Sequence, residues 1–175
     1  MTGRILLAYF SRPGENYHYG GRRDLAVGNT QVLAEMIAEL IDCDVFRIEA
    51  AEPYPEAYDA TVARNVTEQD SDARPEIVSP LTSVDGYEHV LLGSPIWNVR
   101  PPMIMNTFVD GLDLTGTTVH PFVTYAVSGL GNTERVYTEA CAGAEMRPGL
   151  AVQGEEVARQ RADVERWLCQ NRLLA

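Results

Sequence analysis

Three short stretches carry the residues best suited to holding a ligand, and each follows an apolar run. Ser11 closes the run 5–10, and Gly28-Asn29-Thr30 opens an amphipathic segment that ends at Leu40. A helix beginning there presents unpaired backbone N–H groups and a partial positive charge, which together suit a phosphate. The side chains of Ser11, Asn29 and Thr30 add hydrogen-bonding groups, and Gly28 lets the backbone come close. Simple N-capping by Asn29 explains the same residue without any ligand. The second stretch, Gly93-Ser94-Pro95-Ile96-Trp97-Asn98, sets an indole just past a strand end, where it can stack on a planar, electron-poor ring or serve as packing. The third, from Thr124 through Tyr125, Ala126, Val127, Ser128 and Gly129 to Thr133, combines small residues with one aromatic ring. Its backbone N–H groups suit ring carbonyls and Tyr125 suits the ring face; a glycine turn before a helix capped at Asn132 or Thr133 is the plainer alternative.

The elements that must position these stretches alternate in kind. Apolar strands are expected at 5–10, 45–48, 89–93, 119–126 and, more weakly, 149–152. Helices are expected at 30–40, 56–68, from Pro101-Pro102 through 109, at 134–141 and at 157–174. The last should bury Val164, Trp167, Leu168 and Leu174. Alternating strands and helices in a short chain imply right-handed βαβ units and a parallel sheet. The expected fold class is therefore α/β, a single-domain three-layer sandwich on a five-stranded parallel sheet of order 2-1-3-4-5. Ligands of such sheets sit outside the carboxyl ends of the strands at the switch point. The loops after strands one, three and four meet there, and they are the three stretches above.

Composition narrows the class of function. With 175 residues, 45% hydrophobic and 22% charged, the chain has enough apolar surface for one core. Its 14 basic and 25 acidic residues give a net charge of −11, which argues against nucleic acid as a partner. No apolar run approaches the ~20 residues of a membrane span, and the N-terminus lacks the features of a signal peptide. Three widely spaced cysteines (Cys43, Cys141, Cys169) fit neither a disulfide framework nor a zinc site, so the expected compartment is the cytoplasm. There is no GxxxxGK[ST] or GxGxxG motif. The three histidines show no metal spacing, and the expected metal content is none.

Taken together, Ser11…Gly28-Asn29-Thr30, Gly93-Ser94-Pro95-Ile96-Trp97 and the Thr124 to Gly131 loop resemble flavodoxins over essentially the whole chain. The Tyr9-Phe10-Ser11-Arg12 opening, continuing through Gly14-Glu15-Asn16, is similar to a branch with a long first loop. That resemblance implies FMN as cofactor. It implies that Ser11, Asn29 and Thr30, with Arg12 as a helper, hold the phosphate. It further implies that Ser94, Pro95, Ile96, Trp97 and Asn98 lie along the isoalloxazine, and Thr124, Tyr125, Ala126, Ser128 and Gly129 at its pyrimidine edge. The implied activity is electron transfer between redox partner proteins, a reductase and an acceptor. The alternative is an FMN-dependent NAD(P)H oxidoreductase acting on a small electron acceptor. The chain departs from the family pattern at its interrupted phosphate loop, where 12–27 reads as a solvated surface loop, and at a third loop poorer in glycine.

Overall fold

The computed structural model of the protein describes residues 3–174. Its sheet is built on β1 (Ile5–Tyr9), whose five residues are all buried. Alternation decides where each side chain goes. Leu6 and Ala8 enter one core with Val90, Leu92 and Phe108, whereas Ile5, Leu7 and Tyr9 enter the other with Leu33, Ile37 and Leu168. A strand apolar on both faces must be covered twice. Helices α1 (Asn29–Leu40) and α5 (Arg161–Gln170) cover one face, and α3 (Met103–Asp110) and α4 (Thr133–Ala140) the other.

Beside β1 run β4 (Asp44–Arg47) and β5 (His89–Pro95), and β6 (Thr118–Tyr125) follows β5, all paired in parallel. The order of the main strands is the expected 2-1-3-4-5, with the fifth position shared by two short strands. β7 (Glu145–Met146) pairs with the start of β6, and β8 (Leu150–Gln153) with its end. Pro148 between them has no N–H to give the ladder. After β8 the chain makes a 3₁₀ turn, Gly154–Arg159, before α5, so the expected last helix is two elements. Val164, Trp167 and Leu168 are buried as expected, with Leu174 only partly so. The remaining helix, α2 (Tyr58–Asp70), follows the break at Pro53-Tyr54-Pro55.

The segment expected to be an irregular loop is instead an antiparallel hairpin of β2 (Gly14–His18) and β3 (Gly21–Leu25). Its turn residues, Tyr19 and Gly20, have φ of 46° and 85°, the positive pair that suits a two-residue hairpin turn. Arg12 anchors this hairpin. Its guanidinium donates to the carbonyls of Glu15 (2.8 Å), Pro55 (3.2 Å) and Glu56 (2.8 Å), joining the hairpin to the segment before α2. The far end is held by Arg22, which stacks on Tyr58 at 3.9 Å and pairs with Asp59. At the turn, Tyr19 meets the carboxylates of Glu155 and Glu156. The hairpin thus straps the carboxyl edge of the sheet from α2 to the 3₁₀ turn.

Candidate functional site

A crevice opens at that edge beneath the strap, lined by residues from every expected loop. Ser11, Arg12, Asn29 and Thr30 line one end, Pro95, Ile96 and Trp97 another, and Thr124, Tyr125 and Ala126 a third side. It is open to solvent along one side, and its lining mixes hydroxyl, amide and charged groups with the apolar faces of Pro95, Ile96 and Trp97.

At the phosphate-like end, Ser11 rather than Asn29 caps α1: the Gln31 N–H donates to Ser11 Oγ at 3.0 Å. The N-cap position belongs to Gly28, where a Cβ would overlap the Ser11 hydroxyl and the Arg12 backbone. Asn29 is thereby freed from capping and lines the crevice. Thr30 and Thr124 are buried and share a 2.7 Å hydrogen bond between their hydroxyls, which ties the first loop to the third. Arg12, 8% exposed, enters no ion pair among the described residues, and burial lowers its pKa from the ordinary value. Three of its five N–H groups are spent on carbonyls. The nearby Glu15 carboxylate favours its charge without forming a salt bridge, so an anion in the crevice would give it a direct partner.

At the ring-like end, Trp97 is fixed edge-on against Phe10 (5.6 Å, 90°) and Tyr54 (5.1 Å, 72°). Its carbonyl accepts from Gln69 Nε2 and its N–H donates to the Arg100 carbonyl at 2.8 Å. The turn so closed holds Asn98 and Val99 at φ of 52° and 58°. A β-branched residue there is strained, and Val99 is half exposed, so its side chain contributes little packing. The substitution Val99→Gly is expected to stabilise the protein by about 1 kcal/mol in urea unfolding.

Four expected residues stand outside the crevice. Ser94 is wholly buried, because the pleat of β5 turns it inward, and its hydroxyl donates to the Pro95 carbonyl at 2.9 Å. Asn98 is exposed in the strained turn and donates to Gln69 Oε1. Ser128 and Gly129 lie in a turn past Val127, which is itself 81% exposed, and the chain there leads away toward α4. In their place the fold brings Asn16 and Tyr17 from the hairpin, Tyr58 from the start of α2, and Gly154 and Glu155. Tyr17 lay in the recognised insert. Tyr58 and Glu155 carry no local signal, since only the chain path brings them there.

A doubly wound parallel sheet with such a crevice at its switch point is the architecture of a flavodoxin-like protein. A flavodoxin family model matches residues 23–171, and the chain belongs to the flavodoxin family. Among solved structures, a protein of Bacteroides uniformis assigned as a flavoprotein is 29% identical, with 97% of this chain and 99% of that one aligned at a TM-score of 0.77. Another assigned flavoprotein, from Bacteroides eggerthii, is 28% identical over 93% and 98% of the chains at 0.71. A Lactobacillus acidophilus flavoprotein in complex with FMN shares the fold at 21% identity over 90% and 97%, with a TM-score of 0.65. No curated protein matches the chain. Among the described residues, no helix is long and apolar enough to cross a membrane.

Proposed function

We propose that this protein binds FMN in the crevice and serves as an electron carrier between a reductase and an acceptor protein. The observation that carries the cofactor is Arg12, a buried guanidinium without a salt bridge among the described residues, at one end of a groove that ends on an immobilised indole. Ser11, Asn29, Thr30 and Arg12 would hold the phosphate, Trp97 and Tyr125 would flank the ring, and Thr124 to Ala126 would face its polar edge. When bound, the flavin supplies one- or two-electron redox chemistry; the protein supplies binding, orientation and electrostatics.

The carrier role rests on charge. Arg12 is the only cationic side chain among the described residues lining the crevice, and the flavin phosphate would use it. Arg22, at the strap, is committed to Tyr58 and Asp59. A nicotinamide dinucleotide is itself an anion, and a chain of net charge −11 offers it no second cation in the crevice. The three cysteines are free, and a reducing cytoplasm is part of the proposal.

The test is the visible spectrum after adding FMN and desalting, followed by NADPH. The expected result is retained flavin bands that NADPH alone leaves in place and that bleach only when a separate reductase is added. Rapid bleaching by NADPH alone would make the protein an NAD(P)H oxidoreductase. A colourless protein would remove the flavin altogether.

A further inference from the structure

Glu155 is the one carboxylate among the described residues lining the crevice, and neither the phosphate seat nor the ring seat uses it. It lies two residues past the end of β8, whose Val152 and Gln153 pair with Thr124 and Tyr125 of β6. Its neighbour Gly154 lies so close to Asn29 that a Cβ would press on the Asn29 side-chain amide. Glu155 is therefore placed between the phosphate end, at α1, and the ring end, at Tyr125. One of its carboxylate oxygens, Oε1, accepts the backbone N–H of Tyr19 at 3.0 Å. The other, Oε2, is shut off from solvent and has no hydrogen-bond partner. A buried acceptor without a donor is costly, and more so when it is charged. Its placement in a ligand crevice makes a ligand donor the natural remedy.

We infer that Glu155 Oε2 accepts a hydrogen bond from the polyol chain of the bound flavin, and that Oε1 at the same time holds the hairpin strap over that chain. This rests on the proposed FMN binding above. Of the three parts of FMN, the phosphate is repelled by a carboxylate and the ring lies toward Trp97. The chain between them carries hydroxyl donors, which a carboxylate oxygen can accept. Through its two oxygens a single carboxylate links cofactor contact to strap closure.

The experiment compares riboflavin, which has the polyol chain but no phosphate, with lumiflavin, which has neither. Dissociation constants come from quenching of flavin fluorescence, for the wild type, Glu155→Ala and Tyr19→Phe. The expected result is that Glu155→Ala weakens riboflavin at least tenfold and lumiflavin less than twofold. Tyr19→Phe removes only the hydroxyl contact to Glu156, keeps the backbone bond to Glu155, and should affect both flavins alike and slightly. Equal losses for both flavins in Glu155→Ala would mean that the carboxylate meets the ring or acts only through the strap, and would overturn the inference. Unchanged riboflavin binding would overturn it too. A wild type that binds no flavin would instead defeat the FMN proposal, and the inference with it.

Discussion

Replacing Arg12 by Met is expected to weaken FMN binding by roughly a hundredfold while costing the global fold only about 1–2 kcal/mol. Two opposing terms set the second figure. Three charge-assisted hydrogen bonds to carbonyls are lost, but so is the desolvation of a buried guanidinium with no ion-pair partner among the described residues. Two of the three carbonyls keep another donor: Glu56 accepts from the Glu15 N–H at 2.9 Å, and Pro55 from Thr61 Oγ1 at 2.8 Å. Affinity has no such compensation, because an apolar side chain would face the phosphate in a half-closed site. The strap should also loosen, which trypsin reports at the exposed Arg22-Arg23 pair. Cleavage there should quicken about tenfold, in line with a local opening that costs about 1.4 kcal/mol less. Arg12→Lys should not rescue, since one ammonium cannot match a planar fork spread over three carbonyls. An unchanged FMN dissociation constant in Arg12→Met would mean that Arg12 only knits the hairpin and that the phosphate lies elsewhere.

That expectation depends on a contact no sequence pattern announced. The sheet was legible because buried parallel strands are continuous apolar runs, and 5–10, 89–93 and 119–126 are such runs. The loops that follow them, and hence Ser11, Trp97 and Tyr125, came with them. The hairpin was not legible. Its strands, Gly14-Glu15-Asn16-Tyr17-His18 and Gly21-Arg22-Arg23-Asp24-Leu25, lack β-branched residues and a buried face, and the turn is Tyr-Gly rather than Asn-Gly. They hold because Arg12, Tyr58 and Glu155 grip them from elsewhere. Ser94 could have been placed correctly: in β5, Leu92 faces the core that holds Tyr137 and Ile104, and a period of two sends Ser94 the same way. Glu155 could not, since its position follows from the pairing of β8 with β6 across about thirty residues.

Away from the crevice, the three histidines drew no functional assignment, yet two of them are paired. His89 Nδ1 and His120 Nε2 lie 3.1 Å apart, and His120 Nδ1 lies 3.3 Å from Asn171 Oδ1. His120 is 1% exposed and sits under the edge of Trp167. Burial, reinforced by the neighbouring His89 ring and by Arg147, lowers its pKa to about 4, while the Asn171 contact opposes the shift. The sign follows directly. The unfolded imidazole takes a proton near its ordinary value of 6.5, and the folded one refuses it until about 4. Between those values the unfolded chain binds more protons, so stability falls as the pH falls. The contribution is fully present above about pH 6.5 and is lost progressively on the way down through 4. Its full size is roughly 3 kcal/mol. Urea unfolding from pH 7.5 to 4.5 should therefore show a steeper acid loss in the wild type than in His120→Gln, which cannot titrate. The variant will be less stable at neutral pH, so the slope is the diagnostic quantity and not the absolute stability. Parallel profiles would mean that His120 is not the source of the acid sensitivity. A converging pair of profiles would place it on His120, in the second core, where it would act on the whole sheet and not on the crevice.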